Sequence, residues 1–336
     1  MRPSGLKFSL CFFVEDISCD LVIDPGGTID ATRLDGTKVI IKVVDSSTDE
    51  YPIARYLNSP ELRSDKRNRS VTILDVMPYP GDDTKLLMVM PHLVHFNRVP
   101  FRRVGEIHEA IYQYVQGLEF MHEHDVSHRY FDHRNSVFPT AHVVRRDPCW
   151  FNLMMDASKV IPRGTHFARP HTHYGFPNDT FKWRQRWSVK PVQYYYIDFD
   201  ISRRYPPEAK DVDLKEMTRA GQDKSVPEFK RPGPYNPFKA DIYQLGNVIL
   251  RLVNEYNPEG LEPFLNLGKA MSNTNPSDRP SVPEILAYLD QMDDRTFKRR
   301  IWRPQDSDLD KFKITHCWCN PRFGSIPDND DITSRM

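Results

Sequence analysis

Four residues spread along the chain are of the types that could act on a charged substrate. Asp147 lies five residues before Asn152, and Asp198 and Lys42 each follow an apolar run. Carboxylate and amide oxygens suit a hard Mg²⁺ ion, and a carboxylate can also accept a proton from a hydroxyl group. Each residue alone is a weak indicator, since a strand lysine is usually only a solvated charge. Their chemistry gains meaning from the motifs around them.

Six short motifs follow one another in a fixed order. They are Val39-Ile40-Ile41-Lys42, Asp147-Pro-Cys-Trp-Phe-Asn152, Tyr196-Ile197-Asp198-Phe199-Asp200, Ser225-Val226-Pro227-Glu228, Asp241-Ile-Tyr-Gln-Leu-Gly246 and Asp278-Arg279-Pro280. The ordered series resembles the signature of protein kinases, with a strand lysine, a catalytic loop, a metal-binding turn and a following Pro-Glu. The resemblance covers roughly residues 25 to 295. Within it, residues 29–33, 195–198 and 223–227 look like a kinase-like group abundant in basidiomycete fungi.

The resemblance implies a binding site for the phosphates of ATP. Lys42 would bind the α- and β-phosphates and would itself be paired with a helix carboxylate, Glu50 in preference to Asp49. The chain has no G-x-G-x-x-G, and only Gly26 and Gly27 stand where such a loop would cover the phosphates. The backbone cradle is therefore expected to be thin.

The resemblance also implies a metal site and a base. Asn152 and Asp198 would hold Mg²⁺ through their oxygens. Asp147 would orient the attacking hydroxyl and accept its proton. Transfer of a phosphoryl group depends mainly on positioning and charge neutralisation, so Lys42, Asp147 and Asn152 are the predicted catalytic residues, with ATP and Mg²⁺ as cofactors.

The adenine ring is expected along residues 90–93, which we call the hinge. There the Pro91 carbonyl would accept a hydrogen bond and the Leu93 amide would donate one. Met90 lies in the hinge, and Met154 would pack beneath the ring. Both methionines could equally be ordinary core residues.

Three further matches predict structure rather than catalysis. Glu228 and Arg279 resemble the buried ion pair that anchors the end of a kinase activation segment. Asp241 would cap backbone amides of the catalytic loop. Removing one partner of such a buried pair typically costs about 3–5 kcal/mol.

Several positions depart from the kinase pattern. Asp200 stands where glycine is usual, and aspartate tolerates a positive φ better than most residues, so the turn could survive. Cys149 replaces a lysine that normally touches the γ-phosphate, and Gly221 stands about where a threonine would bind the catalytic Asp. An added carboxylate at Asp200 would repel phosphate or supply a further metal ligand.

The largest departure is an insert in the His-Arg-Asp triplet. Residues 130–146, seventeen in number, separate His128-Arg129 from Asp147. Loop closure is cheap, at about 0.6 kcal/mol for each doubling of length, so the insert could loop out. The hypothesis that fits better is a translated intron. Seventeen codons are 51 nucleotides, near the size expected of a short fungal intron, and excision would leave His128, one arginine and Asp147 contiguous. An arginine codon split across the junction would explain why arginine stands at both edges, as Arg129 and Arg146.

Three functions are compatible with these residues. An active protein kinase that transfers the γ-phosphate of ATP to a protein hydroxyl, most simply serine or threonine, retains Lys42, Asp147, Asn152 and Asp198. A pseudokinase scaffold with weak or absent catalysis is the main alternative. A small-molecule phosphotransferase shares the Asp-x4-Asn loop but normally lacks the Pro-Glu anchor and its arginine. An unrelated α+β protein is the remaining alternative.

The elements that must position these residues change type along the chain. Strands are predicted at residues 28–33, 38–44, 71–77 and 86–90, with turns at 35–36 and 80–83 and a helix at 49–57. In the second strand the alternation puts Lys42 on the face opposite Val39 and Ile41. From residue 101 apolar residues recur at helical spacing, around 107–121, 242–252 and 285–289. The order predicts an α+β, bilobal protein-kinase-like fold with a small antiparallel β lobe carrying one helix and a larger helical lobe.

The predicted domain boundaries follow from this change. Residues 1–93 form the small lobe with the hinge, 94–297 the large lobe, and 298–336 a flexible tail. Within the large lobe, 130–146 is the insert, and 157–192, which has no period, is predicted to be a long surface excursion.

Composition excludes some partners. The 336 residues contain 46 Lys+Arg and 46 Asp+Glu, so the zero net charge gives no overall attraction to nucleic acid or an anionic membrane. Five scattered cysteines indicate a reducing compartment. The apolar run at 6–14 is interrupted by Lys7 and Ser9, which favours a strand over a secretory leader. We therefore expect a cytoplasmic protein that binds ATP and a protein substrate whose identity the sequence does not give.

Overall fold

The computed structural model describes residues 27–129, 148–167, 169–176, 181–206, 216–217, 225–257 and 259–304. Some predicted features lie outside these residues: the strand at 6–14, Gly26, the insert 130–146, Asp147, Gly221 and the tail beyond residue 304. Within the described residues the chain is a mixed α+β structure with small antiparallel sheets, as the sequence predicts.

The first part of the chain forms a four-stranded antiparallel sheet. Its strands are β1 (Thr28–Thr32), β2 (Lys38–Asp45), β3 (Asp75–Pro78) and β4 (Lys85–Pro91), in the order β1-β2-β4-β3. Alternation along β2 places Val39 and Ile41 in a small cluster with Val89 on one face. Val44 lies on the other face, in the large cluster of buried apolar residues that also includes Ile53 and Leu57 and that we call the main core. Both faces are therefore covered by apolar residues, and Lys42 lies on the main-core side.

The strand predicted at 71–77 is shorter than expected. The strand paired with β4 is only Asp75–Pro78, because the amides of Val71 and Ile73 are hydrogen-bonded elsewhere. The Val71 amide donates to the Tyr196 carbonyl at 2.9 Å, and the Tyr196 amide donates to the Arg69 carbonyl at 2.7 Å. This segment therefore connects the first sheet to a strand more than a hundred residues later in the chain.

Two helices, not one, lie between β2 and β3. They are α1 (Glu50–Leu57) and the short α2 (Pro60–Arg63). Pro60 begins α2 after the extended Ser59, which is a favourable position because the missing proline N–H has no helical partner there. Ile53, Ala54 and Leu57 of α1 are buried. The second helix is a correction to the predicted single one.

Two further small sheets lie in the rest of the chain. β5 (Val94–His95), β7 (Leu153–Met155) and β8 (Tyr194–Tyr196) form an antiparallel sheet in the order β5-β7-β8, and β6 (Val126–Ser127) pairs with β9 (Arg203–Arg204). β7 and β8 pair with Leu153 opposite Tyr196. Their antiparallel register brings the residue before β7 and the residues after β8 to the same end of the pair.

Seven α-helices follow in the described residues after β4. They are α3 (Val104–Glu123), α4 (Pro148–Phe151), α5 (Arg186–Val189), α6 (Pro237–Asn254), α7 (Glu262–Met271), α8 (Val282–Asp290) and α9 (Asp294–Phe297). The predicted stripe of α3 is buried in the main core. α6 and α7 approach closely at Gly246, where a Cβ atom would lie 2.7 Å from the Met271 Cβ. Such a distance leaves no room for any side chain at Gly246.

The described residues of the region 157–192 are packed and do not form a loose surface excursion. Val160, Ile161 and Trp183 are buried in the main core. Arg186 is fully buried, and its guanidinium donates to the carbonyls of Phe96, Val99 and Pro100. The sequence shows no period here because, apart from the short α5, the described backbone is irregular and its polar groups are satisfied by side chains.

Among the described residues, no helix is long and apolar enough to cross a membrane.

Candidate functional site

Lys42 lies in the middle of β2 between two carboxylates. Its ammonium group contacts the Glu50 carboxylate at the start of α1 and lies 2.7 Å from Asp198 Oδ1. Lys42 and Glu50 are only 6% and 2% exposed. Asp49, the second candidate partner, is exposed at the N-cap position of the helix. One lysine therefore connects the first sheet to α1 and to the turn after β8.

The charges in this cluster do not cancel. Burial alone lowers the pKa of the Lys42 ammonium, but the neighbouring Asp198 and Glu50 outweigh it and raise that pKa above its ordinary value. Burial raises the pKa of Glu50; Lys42 lowers it, and the charges of Asp198 and Asp200 raise it further. Three carboxylates thus act on one ammonium group, and the excess negative charge would favour a bound cation.

Asp198 and Asn152 lie at the same end of the β7–β8 pair. The Ile197 amide donates to the Asn152 carbonyl at 3.0 Å, which places Asn152 beside the residue that precedes Asp198. Asn152 is buried. Among the described residues no three His, Cys, Asp or Glu side chains form a group that could hold a metal, so a metal here would need the mixed carboxylate and amide set. Those two oxygen donors fit Mg²⁺.

The turn after β8 has its left-handed residue at Asp198 and not at Asp200. Asp198 has φ = 65°, and Asp200 does not have a positive φ. The positive φ that the sequence analysis considered for Asp200 therefore lies at Asp198 instead. Aspartate is one of the few non-glycine residues that tolerate this region, so the turn forms without glycine.

His128 and Arg129 are fixed beside this turn. His128 Nε2 lies 3.1 Å from the Ile197 carbonyl, and its ring packs against Phe199 with centroids 5.0 Å apart. The backbone amides of His128 and Arg129 donate to the two carboxylate oxygens of Asp241, at 3.0 and 2.9 Å. Asp241 is fully buried and lies on α6, where it caps two amides, as the sequence predicts for its role.

Glu216 is a residue that the sequence reasoning missed. Its carboxylate Oε2 lies 3.4 Å from Arg129 Nη1 and 3.2 Å from Arg203 Nη1, and it accepts a hydrogen bond from the Tyr205 hydroxyl at 3.0 Å. Its backbone pairs with Tyr235. No motif surrounds Glu216, so the sequence contains no signal that separates it from other acidic residues.

Glu228 and Arg279 form a bidentate ion pair. Arg279 Nη1 and Nη2 each lie 2.7 Å from a different oxygen of Glu228. Arg279 also donates to the carbonyls of Lys239 and Asn273. With both side chains buried, this geometry fixes the short 3-10 helix Pro227–Lys230 against the start of α6.

The hinge continues directly from β4. Val39 lies opposite Pro91, and the His92 amide donates to the Lys38 carbonyl at 3.2 Å. Met90 is buried in the main core and Leu93 packs partly against it. The backbone of hinge residues 90–92 therefore lies beside the first residues of β2, next to Lys38.

Met154 and Gly27 are the remaining described residues of the site predicted from sequence. Met154 is half-buried between the fully buried Leu153 and Met155, so strand alternation turns it to the opposite face. Gly27 has φ = 67°, and its carbonyl accepts a hydrogen bond from the Val43 amide at 2.8 Å. Of the predicted site residues, only Gly26 and Asp147 lie outside the described part of the chain.

Comparison of the chain with protein-family models found no match, and comparison with curated proteins found none either.

Proposed function

We propose that this protein is a bilobal protein kinase that binds ATP and Mg²⁺ and transfers the γ-phosphate to a protein hydroxyl. The observation that carries the proposal is the placement of Lys42 between Glu50 and Asp198. A lysine so placed would neutralise phosphate oxygens while remaining connected to the metal-binding turn. Support also comes from the Asp241 cap and the Glu228–Arg279 pair, which occur in the order and roles that the kinase resemblance implies.

The proposed reaction needs one base and one positioned phosphate. The substrate hydroxyl oxygen forms a bond to the γ-phosphorus as the bond to the bridging oxygen of ADP breaks, and the hydroxyl proton passes to Asp147. Lys42 would orient the α- and β-phosphates. Asp198 and Asn152 would hold Mg²⁺, which when bound neutralises charge on the phosphates.

The same charges favour a second candidate, a pseudokinase scaffold. The ammonium of Lys42 is already paired with two carboxylates, and the charge of Asp200 acts on the same cluster. A triphosphate entering this cluster meets excess negative charge unless Mg²⁺ accompanies it. Weak nucleotide binding would leave the protein to act through its surface.

Thermal unfolding with MgATP tests the binding step. A ligand at a hundredfold excess over Kd stabilises the folded state by about 2.7 kcal/mol, so the wild type should melt at a higher temperature. The variants Lys42→Met and Asp198→Asn should lose most of that rise. Lys85→Met, at a less buried lysine in the same sheet, should keep it. No shift in the wild type at millimolar MgATP would favour the scaffold.

A radiolabel transfer assay with Asp147→Asn tests the chemical step separately. The change removes the base but not a predicted phosphate contact, so transfer should fall by a factor of about 100 or more while the thermal shift with MgATP stays. Equal transfer by the variant and the wild type would assign the measured activity to a contaminating enzyme.

A further inference from the structure

A short segment after β7 reaches back to the first sheet. We call residues 164–167 the strap. Lys38 Nζ donates to the Thr165 carbonyl at 2.5 Å and lies 5.0 Å from the centroid of the Phe167 ring. The Phe167 ring meets the His92 ring edge-on, with centroids 4.8 Å apart. The strap thus contacts a strand residue and a hinge residue at once.

The strap is held from its other side by a buried histidine. His173 Nδ1 donates to the Gly164 carbonyl at 2.7 Å, and its Nε2 accepts from the Lys182 amide at 2.9 Å. These two bonds fix the tautomer, since the carbonyl can only accept and the amide can only donate. His173 is buried, so displacing Gly164 would break its hydrogen bond to a ring that the Lys182 amide also holds in place.

The segment that carries the strap is anchored in the main core. Trp183 is buried there, and the Arg184 amide donates to the Val160 carbonyl at 2.7 Å. Arg186 donates to three carbonyls between residues 96 and 100. The strap therefore connects this anchored segment to Lys38, the first residue of β2.

The contact at the hinge involves backbone as well as side chains. The Lys38 carbonyl accepts from the His92 amide, while the Lys38 ammonium and the His92 ring both face Phe167. Burial and the nearby Lys38 lower the pKa of His92 to about 4, so its ring is uncharged near neutral pH. An uncharged His92 ring packs edge-on against Phe167 and does not repel the nearby Lys38 ammonium.

We propose that Phe167 and Lys38 are positioning residues that fix the hinge for recognition of the adenine ring. This inference rests on the proposed function, because the adenine contacts would come from the Pro91 carbonyl and the Leu93 amide on either side of His92. A hinge fixed by the strap presents both groups before the nucleotide arrives. Preorganisation of this kind increases affinity by reducing the ordering that binding requires.

Hydrogen exchange of the nucleotide-free protein, followed by mass spectrometry, tests the strap. In Phe167→Ala, amides in the peptide spanning residues 90–95 should exchange about three to ten times faster, the change expected for loss of one aromatic pair. Lys38→Met, which keeps most of the apolar stem, should act in the same direction. Amides of α7 should not change. Phe167→Tyr should restore protection.

A matched aromatic control lies close by in the chain. Phe176 is 66% exposed, and Phe176→Ala should leave exchange at 90–95 unchanged. Steady-state kinetics should show the KM for ATP raised by a similar factor in Phe167→Ala with kcat unchanged. Unchanged exchange at 90–95, or an equal rise in α7, would overturn the proposal. Exchange is measured without nucleotide, so it tests the strap whether or not ATP binds. Absence of ATP binding would count against the proposed function alone.

Discussion

At the scale of single residues, burial rather than sequence decides what the charged groups do. Lys42 is of a type that is usually exposed, yet in this chain it lies in a nearly dry site between two acids. His128 is fully buried and makes its contacts through Nε2 and its backbone. Such groups couple folding to pH, because their protonation differs between the folded and unfolded chain.

His128 should make the protein less stable in mild acid. Burial lowers its pKa to about 4 from the ordinary 6.5, although Asp241 and Asp198 act in the opposite direction. Below pH 6.5 the unfolded chain binds a proton that the folded chain does not, so the free energy of unfolding falls as pH falls toward 4. At pH 5.5 the loss should be about 1 kcal/mol for one such histidine.

Urea unfolding between pH 7 and pH 5.5 measures this effect. His92, whose pKa is also about 4, and His108, whose pKa is lowered by burial, add to the slope with the same sign. His128→Phe should therefore remove only the share of His128, about 1 kcal/mol at pH 5.5, while retaining an aromatic ring against Phe199. An unchanged slope in that variant would show that His128 is not the titrating group.

The candidate site residues that the sequence predicts are those that belong to local motifs. Lys42, Asn152 and Asp198 each stand in a run of a few residues whose types are informative by themselves. The link between Arg129 and Glu216 spans 87 positions and depends on a surrounding fold that no local pattern encodes. A positive φ was considered at Asp200 because the kinase pattern has a glycine there, whereas the structure has it at Asp198, and only the backbone shows which of the two aspartates adopts it.

At the scale of elements, one carboxylate joins two segments by contacts of unequal burial. Glu216 lies between Arg129, which is buried, and Arg203, whose side chain is 51% exposed. The first interaction is screened little by water, whereas the second is screened strongly. The two arginines therefore offer an internal comparison of buried and exposed pairing with the same acid.

Glu216→Gln should destabilise the fold much more than Arg203→Gln. Breaking a buried pair by removing one partner costs about 3–5 kcal/mol, and an exposed pair contributes about 0–1 kcal/mol. The free energy of unfolding in urea at pH 7 measures both. Equal effects of the two substitutions would show that Arg129 does not depend on Glu216 for its placement.

Predicted elements differ from the observed ones where a distant partner decides. Residues 71–73 have strand composition, but the Val71 amide bonds to Tyr196 and the Ile73 amide to Asn58, and the regular pairing with β4 begins at Asp75. The region 157–192 lacks periodicity and yet buries Arg186 and Trp183. Periodic elements such as α3 and α6 were found because their packing repeats along the chain.

At the scale of the whole molecule, both flanks of the insert 130–146 are anchored. Before it, His128 and Arg129 bond to Asp241. After it, Trp150 is buried, and its carbonyl lies 2.9 Å from His95 Nε2. Fixed flanks explain how seventeen added residues could be tolerated, and Arg129 already occupies a buried position beside Asp241.

Under the intron hypothesis, deleting residues 130–146 should raise phosphotransfer by roughly tenfold or more, because His128, Arg129 and Asp147 become contiguous and small errors in placement have large kinetic effects. A Gly/Ser linker of the same length in place of the insert is the control and should not raise it. Sequencing the transcript gives an independent answer. Unchanged activity after deletion, with all mature messages carrying the segment, would identify a genuine insert.

The contact between Lys42 and Asp198 also has a consequence for biosynthesis. The two residues are 156 positions apart, so at about 5–20 residues per second a ribosome exposes Lys42 for roughly 8 to 31 seconds before Asp198 is made. Tyr196, which bonds to residues 69 and 71, emerges equally late. During this interval the nascent first sheet has Lys42 without Asp198, and residues 69 and 71 without Tyr196. We expect the chain to depend most on chaperones at this stage.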